Sequence, residues 1–311
     1  MPGLAAAVGP TAPGEPERAL LVVGDVVTDV VARHAEPLAP DTDTAARIAL
    51  RPGGAGANVA CWAARCGARV RLLARVGADS ADWHRAALRA AGVDPVLRVD
   101  PELPTTVVIA LVDAAAERTL VTDSGASLRL GPADWTEDLL DGAGHVHLSG
   151  YLFFSAPGRE LAAVVAKAAR ARGLPVSVDP ASAGFIRRLG VPRFLDAVAG
   201  TDLLLPNEAE AALLSGRAEP ARAAAELSAR CGAEVMVTLG AGGALAAAHG
   251  RLTARAPAVP ASAVDTTGAG DAFTGGLLAA RLSGADLPSA LAAGCRAGAA
   301  AVTVVGGRPP S

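Results

Sequence analysis

From residue 145 onward the sequence alternates short, mostly apolar runs with longer segments that have the apolar spacing of helices. The predicted strands are His145 to Leu148, Pro175 to Asp179, Asp202 to Leu205 and Val235 to Leu239. The predicted helices are Gly158 to Arg172, Asn207 to Leu214, Pro220 to Cys231, Ala269 to Ser283 and Pro288 to Val304. Apolar strands that alternate with helices are typical of a parallel sheet buried on both faces. We therefore predict an α/β fold in which a mostly parallel central sheet lies between two layers of helices.

The first part of the chain follows this alternation less regularly. Its predicted elements are strands at Ala19 to Val23 and Val70 to Val76 and helices at Gly56 to Cys66 and Ser80 to Ala91. Two β-rich stretches, residues 27–35 and 105–122, interrupt the order, and Ala114 to Glu117 is predicted to be a hairpin turn within the second. Residues 37–50 are predicted to be loop-like, at least in their first half. The two β-rich stretches therefore do not fit the alternation of the main sheet.

The length of the chain allows one large domain or two, because 311 residues with a hydrophobic content of 51% can bury a sizeable core. Residues 1–18 are rich in Pro, Gly and Ala, so we expect a disordered tail before a folded domain over residues 19–307. The tail has neither the basic start nor the apolar core of a signal peptide. No apolar run is long enough, without charges or breakers, to predict a membrane span.

Charge and cysteine content narrow the class of protein further. A net charge of −3 and scattered arginines argue against nucleic acid as a partner. The four cysteines, Cys61, Cys66, Cys231 and Cys295, form no C-x-x-C pair and lie in apolar helical stretches, so we predict reduced thiols. These features predict a cytoplasmic protein that does not associate with membranes.

The helix predicted to begin at Ala269 is opened by the sequence DTTGAGDAF, residues 265–273. Its glycines allow a tight turn, and the N–H groups of Gly268, Ala269 and Gly270 would point out of the helix N-terminus, where they favour an anion. Asp271 does not suit an anion site, because a carboxylate repels a phosphate. A hydroxyl group held between Asp271 and a phosphate would lose its proton to the first and attack the second. The alternative is that Asp271 is only the N-cap of the helix.

Several other polar residues and glycines lie where predicted strands end, which is the edge of an open α/β sheet at which ligands bind. They are Asp25, Gly54, Asn58, Asp179, Asn207, Gly240 and Asp271. For any single one a turn or a cap is an equally good explanation, but their number predicts a shared cleft. Asp25 and Asn58 suit a ligand with several hydroxyl groups, since a carboxylate accepts hydrogen bonds and an amide both donates and accepts. Gly53, Gly54 and Gly56 would let such a ligand lie against the backbone.

The spacing of other residues excludes several kinds of site. The glycines at residues 54–56, 240–243 and 268–270 do not complete a dinucleotide-binding fingerprint, and no P-loop sequence occurs. Lys167 is the only lysine and lies within a predicted helix, so no lysine is available to clamp a phosphate. The histidines lack the spacing of zinc ligands, and no serine carries the signature of a hydrolase nucleophile.

Two of these sequences resemble the signatures of one known family. DTTGAGDAF resembles the C-terminal signature of the PfkB family, the ribokinase-like sugar and nucleoside kinases, and RPGGAGANVA, residues 51–60, resembles its N-terminal signature. The two occur in the family's order, and the resemblance covers roughly residues 19–307. It implies a ribokinase-like fold in which residues 27–35 and 105–122 form a small β lid over the site. In this family the exposed face of the lid often pairs with another subunit, so a homodimer is expected.

The resemblance also implies roles for individual residues. Asp271 would be the catalytic base, with Gly268, Ala269 and Gly270 as the anion hole. The implied acceptor-binding residues are Asp25, Asp29, Gly53, Gly54, Asn58 and Asp271. The implied ATP-binding residues are Asn207, Thr238, Gly240, Gly243, Gly268, Gly270 and Gly294. For Asp29 the alternative is a solvated charge on a strand, and for Gly294, with the small residues Ala297 and Gly298, it is tight helix packing.

Two cations are implied by the same resemblance. The sequence Asn207-Glu208-Ala209-Glu210 resembles the family's N-x-x-E motif, which is tied to Mg2+ largely through water. Asn207 and Glu210 have the spacing of a capping box as well, so this motif alone is weak evidence for a metal. Family members often bind K+ beside the anion hole, where Asp265, Thr267 and the turn at residues 305–307 match the family pattern.

The sequence therefore predicts an ATP-dependent kinase that phosphorylates a primary hydroxymethyl group of a sugar. The nearest alternative is a nucleoside kinase acting on adenosine or pseudouridine. An aromatic content of 3% weakly favours a bare sugar, although Tyr151, Phe153 and Phe154 could form a wall for a base. A sugar phosphate would need extra cationic groups in the cleft, and the sequence does not place any. A non-catalytic sugar-binding protein on this fold is a third alternative, and an intact Asp271 argues against it.

Overall fold

The computed structural model of the protein describes residues 18–114 and 118–310. Its strands are β1 (Ala19–Val23), β2 (Val27–His34), β3 (Ala46–Gly53), β4 (Arg69–Gly77), β5 (Val93–Asp100), β6 (Thr106–Val112), β7 (Arg118–Asp123), β8 (Ala143–Ser149), β9 (Val176–Asp179), β10 (Leu203–Leu204), β11 (Glu234–Thr238), β12 (Ala244–Ala248) and β13 (Arg251–Ala256). Its α-helices are α1 (Ala55–Arg65), α2 (Ala81–Ala90), α3 (Ala156–Ala171), α4 (Ala183–Leu189), α5 (Val191–Ala197), α6 (Glu208–Ser215), α7 (Pro220–Cys231), α8 (Ala269–Leu282) and α9 (Leu287–Ala301). The expected tail up to residue 17 and the tip of the expected hairpin, residues 115–117, lie outside the described residues.

The larger of two sheets has nine strands in the order β13-β12-β11-β10-β9-β8-β1-β4-β5. The strands from β11 to β5 are parallel, and β12 and β13 extend one edge as an antiparallel hairpin. Side chains on both faces of the central strands are buried, as in β1, where residues 20–23 have at most 1% of their surface exposed. This arrangement confirms the mostly parallel sheet predicted from the apolar strands.

Helices cover both faces of the large sheet. Leu20 and Val22 of β1 face a core that includes residues of α1, α2, α8 and α9. Leu21 and Val23 face the opposite core, which includes residues of α3 to α7. Alternate side chains of one strand therefore enter different cores, which is the physical basis of the predicted three-layer fold.

The smaller sheet has four strands in the order β3-β2-β6-β7. Three of them come from the two β-rich stretches that the sequence places outside the alternation. The loop was predicted for at least the first half of residues 37–50, and the fourth strand, β3, occupies residues 46–50 of that stretch and was not predicted. Residues 46–50 of β3 are exposed, and exposed strands lack the burial pattern by which the other strands can be recognised in the sequence.

Edge elements account for the other differences from prediction. Strands β5, β12 and β13 lie at or near the edges of the large sheet and were not predicted. β5 contains Pro95, which an edge strand tolerates because one side of the strand needs no ladder hydrogen bonds. The short helices α4 and α5 were not predicted either.

Within the described residues no helix has both the length and the apolar composition that crossing a membrane would require. The four cysteines are free thiols.

Helix α8 is held close to its neighbours by glycines in its interior. A Cβ atom at Gly275 would lie 2.8 Å from Ala63 N and from Val59 O on α1. A Cβ atom at Gly276 would lie 2.7 Å from the Cβ of Ala297 on α9. These contacts fix the position of α8, and with it the position of the polar residues at its N-terminus.

We predict that Gly275→Ala destabilises the protein. The added methyl group would force α8 away from the α1 backbone, and overpacking of this kind costs about 1–3 kcal/mol. The higher helix propensity of alanine offsets at most about 1 kcal/mol of this destabilisation. Urea denaturation at equilibrium should show a lower midpoint for the variant.

Gly184→Ala is the matched control. Gly184 also lies in a helix, but a Cβ atom there would meet only Ser182 Oγ, at 3.7 Å, which is an ordinary van der Waals contact. This variant should be as stable as the wild type or slightly more stable, because alanine is favoured over glycine in a helix by up to about 1 kcal/mol. Equal midpoints for Gly275→Ala and the wild type would show that α8 can move without cost and would contradict this packing account.

Candidate active site

A cleft of about 1510 Å3 lies where the parallel strands end, and one face of the small sheet forms part of its wall. Most of the site residues predicted from the sequence line this cleft. They are Asp25, Asp29, Gly54, Asn58, Asn207, Glu210, Thr238, Asp265, Thr267, Gly268, Ala269, Gly270 and Asp271. The predicted residues Gly53, Gly240, Gly243 and Gly294 do not line it. The fold therefore brings together residues from distant parts of the sequence, as the strand-end pattern predicted.

Asp271 lies in the first turn of α8, where Asn58 Nδ2 donates a hydrogen bond to Asp271 Oδ2 at 2.8 Å. The N-cap of α8 is Gly268, which excludes the alternative that Asp271 is the cap. Burial raises the pKa of the Asp271 carboxyl well above its usual value, the negative charge of Asp179 raises it further, and the bond from Asn58 opposes the rise. A half-buried carboxyl group with a raised pKa, oriented by one amide, is suited to accept a proton from a bound hydroxyl group.

The N-terminus of α8 opens into the cleft. Gly268 has a φ of 73°, and a Cβ atom there would lie 2.5 Å from the Cα of Gly307, so both conformation and contact require glycine. Ala269 N donates a long hydrogen bond to Thr266 O at 3.3 Å. Gly270 is exposed and borders open space. The first-turn amides and the dipole of α8 therefore favour an anion beside Asp271.

The carboxylate of Asp25 holds the turn that begins α1. Asp25 Oδ2 accepts a hydrogen bond from Ala55 N at 2.8 Å, and Oδ1 accepts from Gly56 N at 3.1 Å and from Ser149 Oγ at 2.8 Å. Gly54, with a φ of 101°, allows this turn to pass within van der Waals distance of the Asp25 backbone. These bonds give Asp25 a positioning role, and because Asp25 also lines the cleft, its predicted contact with hydroxyl groups stays a prediction.

Asp29 is the acidic residue whose oxygens are available to a ligand. Its carboxylate packs against Gly53, where any Cβ atom would collide with it. Burial raises the pKa of Asp29 to about 6, the charge of Arg308 opposes the rise, and the charge of Asp25 adds to it. In the described part of the chain neither oxygen of Asp29 accepts a hydrogen bond. Asp29 therefore suits the role in binding hydroxyl groups that the resemblance implied.

The C-terminal segment, residues 305–308, is a part of the site that the sequence analysis did not foresee beyond its expected K+ turn. Arg308 Nη2 donates a hydrogen bond to Gly53 O at 3.0 Å, and its Nε and Nη1 are buried without a hydrogen-bond partner among the described residues. Trp62 Nε1 donates to Gly307 O at 2.9 Å. The segment thus joins the turn before α1 to the N-terminus of α8. No local sequence signal marks Arg308, because its contacts are with residues far away in the chain.

Asn207 and Glu210 form a capping box at the start of α6. Glu210 N donates to Asn207 Oδ1, and Asn207 N donates to Glu210 Oε2, both at 2.9 Å. Burial raises the pKa of Glu210, and the nearby charge of Asp179 raises it further. Burial also raises the pKa of Asp179, which accepts a hydrogen bond from Ala181 N at 2.8 Å. Two carboxyl groups whose charged forms are disfavoured in this way would gain from a nearby cation.

The chemistry of these donors decides which cation fits. Among the described residues no group of three or more His, Cys, Asp or Glu side chains is arranged to enclose a metal directly. Asn207 and Glu210 offer only oxygen ligands, and each already makes the hydrogen bonds of the capping box. Mg2+ prefers oxygen and keeps much of its water. The residues present therefore fit Mg2+ held partly through water, as the resemblance implied.

The predicted nucleotide-binding residues divide into two groups. Thr238, at the end of β11, lines the cleft and forms an isolated bridge with Asn207. Gly240 and Gly243 lie in the turn after β11, with φ values of 54° and 87°, and Gly243 packs against the backbone of β13. A Cβ atom at Gly294 would lie 2.8 Å from the Phe273 ring, so Gly294 is explained by the packing of α9 on α8. The predicted contact of Gly294 with a nucleotide is therefore not supported by the geometry.

Asp265 ties together the elements implied for a K+ site. Its Oδ1 accepts hydrogen bonds from Thr267 N at 2.9 Å and from Thr267 Oγ1 at 2.6 Å. Its Oδ2 accepts from Gly306 N at 3.0 Å. Asp265, Thr267 and the turn at residues 305–307 are therefore neighbours, as the sequence predicted.

Comparison with known proteins agrees with this geometry. Residues 17–311 match the family model described as pfkB family carbohydrate kinase. A fructokinase of Klebsiella pneumoniae is 34% identical over 281 residues, which cover 88% of this chain and 87% of that protein. An ATP-dependent ribose-1-phosphate kinase of Halopiger xanaduensis is 33% identical over 248 residues, which cover 77% of this chain and 76% of that protein. The family match includes every residue named above at the cleft and not only the two signatures.

A solved structure shows the same fold. It is named as a ribokinase II of E. coli in complex with ATP and Mg2+, and it is 28% identical to this chain. The two superpose with a TM-score of 0.81 over 93% of this chain and 94% of the other. This likeness confirms the ribokinase-like fold that the sequence predicted.

We predict that Asp29→Asn does not destabilise the protein at neutral pH. The folded-state pKa of Asp29, about 6, lies above its usual value of 3.8. Its contribution to stability is therefore present below about pH 4 and is lost as the pH rises through 6. A shift of this size corresponds to at most about 3 kcal/mol. Thermal unfolding of wild type and variant should give similar midpoints at pH 4 and a midpoint for the variant that is equal or higher at pH 7.5.

Asp286→Asn is the control, because the pKa of Asp286 is shifted in the opposite direction. Hydrogen bonds from Ser289 lower the pKa of Asp286, so its contribution is present above the usual pKa and is lost in acid. This variant should not be more stable than the wild type at pH 7.5. If Asp29→Asn destabilised the protein at pH 7.5 and not at pH 4, the charge of Asp29 would stabilise the empty site, contrary to this account.

Proposed function

This chain belongs to the pfkB family of carbohydrate kinases, and we propose that it transfers a phosphoryl group from ATP to a primary hydroxymethyl group of a sugar. The observation that carries the proposal is the placement of Asp271, which is held by Asn58 at 2.8 Å beside the open N-terminus of α8. A base and an anion site lie next to each other in this arrangement. That combination suits proton removal from a hydroxyl group together with transfer of an anionic group.

The proposed reaction transfers one proton and one phosphoryl group. The hydroxymethyl oxygen gives its proton to a carboxylate oxygen of Asp271 and forms a bond to the γ-phosphorus of ATP. The bond between that phosphorus and the oxygen bridging to the β-phosphorus breaks, and ADP leaves. General base catalysis of this kind contributes roughly 10²–10⁴ in rate.

The amides at the start of α8 would stabilise the group in transfer. In our proposal Gly268, Ala269 and Gly270 supply backbone N–H groups, and the helix dipole adds a fixed positive potential. The chain contains a single lysine, Lys167 in α3, so these backbone donors replace the phosphate-clamping lysine of other kinases.

Asn207 and Glu210 are the residues that we propose to hold Mg2+, through water. When bound, the metal would neutralise charge on the ATP phosphates. The role of the chain's own residues is to orient its water ligands with the amide of Asn207 and the carboxylate of Glu210. We further propose that Thr238, Gly240 and Gly243 form the turn beside the nucleotide phosphates.

Acceptor binding is assigned to Asp29 and Asn58. The oxygens of Asp29 accept no hydrogen bond from the described residues, and Asn58 Oδ1 is buried without a partner among them. Hydroxyl groups of a sugar would satisfy both groups. Asp25, Gly53 and Gly54 shape the turn that keeps Asn58 in place.

The alternatives that the sequence left open are less well supported. A nucleoside kinase needs a free aromatic or apolar wall for the base. Phe153 is buried in the core and Phe154 is stacked on Phe185 with 5.0 Å between ring centroids, which leaves Tyr151, 38% exposed, as the one of the three named rings that is largely open to the cleft. A non-catalytic binding protein would not need a carboxylate oriented toward an anion site, as Asp271 is.

A K+ requirement is a further proposal. Asp265 and Thr267 lie beside the turn at residues 305–307, next to the N-terminus of α8. A monovalent cation there would raise the positive potential at the anion site. Turnover in K+ compared with turnover in a bulky organic cation at equal ionic strength tests this proposal.

We propose that the small sheet is a lid and that its outer face pairs with a second copy of the chain. Leu50, Val30, Ile109 and Val121 form one row across its four strands. Leu50 is 64% exposed and Val121 is 53% exposed. The opposite face, which carries Asp29 and Val108, lines the cleft. A row of exposed apolar residues on a small sheet is an expected site of association.

We predict that Asp271→Asn lowers kcat by at least about a hundredfold, because it removes the base and keeps the shape of the side chain. ATP binding, measured by calorimetry, should change little. A coupled assay of ADP release with the best neutral or anionic sugar acceptor gives kcat.

Asp82→Asn is the matched control, because Asp82 is an acidic helix residue on the surface, paired with Arg85 and far from the cleft. Its kcat should equal that of the wild type. A kcat within tenfold of the wild type for pure Asp271→Asn would overturn the assignment of Asp271 as the base.

We also predict that replacing both Ile48 and Leu50 with Asp converts a dimer into a monomer. Both residues are exposed on β3, and two charges on this face would oppose pairing. Sedimentation velocity measures the oligomeric state, and Leu252→Asp on the exposed part of β13 is the control. A wild-type protein that sediments as a monomer would refute the proposed lid dimer.

A further inference from the structure

Three arginines line the side of the cleft formed by the second helical layer, and we call them the arginine wall. Arg159 lies in α3, Arg188 in α4 and Arg193 in α5, and all three border the same cleft as Asp271. A sugar phosphate would need cationic groups of this kind in the cleft, and the sequence alone did not place any there. The fold collects them because the start of α3, the end of α4 and the start of α5 lie at one side of the cleft.

The arginine wall has no carboxylate partner among the described residues. Other arginines of the chain form ion pairs, such as Arg75 with Asp100 at 3.0 Å and Arg281 with Glu234 at 3.0 Å. No ion pair within 4.0 Å joins Arg159, Arg188 or Arg193 to an acidic residue of the described ranges. Arg159 donates one hydrogen bond, from Nη1 to Phe153 O at 2.8 Å. Most of the donors of the wall therefore remain available to a ligand.

Two members of the wall, Arg159 and Arg193, are close enough to repel each other. Burial lowers the pKa of Arg159, and the charge of Arg193 lowers it further, while Glu160 acts in the opposite direction. Like charges that face one space without a counter-ion are unfavourable, and an anion between them would relieve the repulsion.

The aromatic residues beside the wall contact one another, and Tyr151, which is 38% exposed, is the most open of them. Phe154 is stacked on Phe185, and the guanidinium of Arg188 lies 5.0 Å from the centroid of the Phe185 ring. Tyr151 contacts both phenylalanines edge-on. Because these rings contact one another and Arg188, the group that this side of the cleft presents is a set of guanidiniums. This side of the cleft therefore suits an anion better than it suits a flat base.

The charges of the cleft are therefore divided between its sides. Asp25, Asp179, Glu210 and Asp271 place carboxyl groups at the edge of the large sheet, Asp29, Arg33 and Arg51 line the small-sheet side, and the arginine wall lines the side of the second helical layer. The anion hole proposed for the transferred phosphoryl group belongs to α8, in the opposite helical layer from the wall. The anion at the wall is thus a second one, separate from the group being transferred.

We propose that the acceptor carries its own anionic group, a phosphate or a carboxylate, and that Arg159, Arg188 and Arg193 bind it while Asp271 faces the hydroxymethyl group. This inference rests on the proposed function and names the class of its acceptor. Guanidinium groups suit either anion, because both accept paired hydrogen bonds.

The first test compares acceptors that differ only in the anion. D-ribose is paired with D-ribose 1-phosphate, and D-fructose with D-fructose 1-phosphate and D-fructose 6-phosphate, each of which keeps a free hydroxymethyl group. A keto-sugar acid tests the carboxylate. We expect kcat/KM for at least one anionic acceptor to exceed that of the neutral sugars by at least about tenfold, the effect of one charge-assisted hydrogen bond. Neutral sugars used better than every anionic acceptor would overturn the inference.

The second test removes the charges of the wall. Arg188→Gln and Arg193→Gln should each raise KM for the best anionic acceptor by about tenfold or more, with little change for a neutral sugar or for ATP. Arg187→Gln is the matched control, because Arg187 is the neighbour of Arg188 in α4 and does not line the cleft. Its kinetic constants should equal those of the wild type.

The outcomes separate this inference from the proposed function. If the wall variants raise KM for ATP instead of the acceptor, the wall binds nucleotide phosphates and the inference is wrong. If neutral sugars are phosphorylated in a reaction that depends on Asp271 and is insensitive to the wall, the kinase function stands and the inference falls. If no acceptor stimulates ADP release, both fail.

Discussion

The structure depends on one electrostatic constraint, the convergence of carboxylates at the edge of the sheet where the parallel strands end. Asp25, Asp29, Asp179, Glu210 and Asp271 reach one cleft, and burial raises the pKa of Asp29, Asp179, Glu210 and Asp271. Such a site is unfavourable while it is empty and becomes favourable when hydroxyl groups, a metal ion or a transferred proton are present. The rest of the fold holds these groups in place against that cost.

Close backbone approaches provide the rigidity that this requires. Gly268 meets Gly307, and Gly275 of α8 meets the α1 backbone, so α8 and α1 are held at a fixed separation. Asn58 and Asp271, which are 213 residues apart in the sequence, can therefore form a hydrogen bond of 2.8 Å. Strands and helices alone would bring these residues near each other, but the glycine contacts set the distance.

Much of this could be predicted from the sequence, because the signals are local. The four strands and five helices predicted from residue 145 onward are all present, since buried strands carry continuous apolar runs, but the short helices α4 and α5 and the strands β12 and β13 were missed. Asp271, Asn58 and the Asn207–Glu210 pair were found because each belongs to a short motif. Strand β3 was missed because residues 46–50 are exposed, and the positioning role of Asp25 was missed because its hydrogen bonds with Ala55 N and Ser149 Oγ cannot be read from spacing. Arg308 and the arginine wall are products of tertiary contact between distant segments, for which the sequence has no periodic signal.

The central claim is that Asp271 and the N-terminus of α8 direct a phosphoryl group to a primary hydroxymethyl group. Phosphorus NMR of the reaction with ATP, Mg2+ and the acceptor that best stimulates ADP release tests it most directly. The account predicts a new phosphomonoester resonance that is split by two equivalent or nearly equivalent protons and grows in step with ADP. A resonance split by a single proton, or ADP accompanied only by inorganic phosphate, would contradict it.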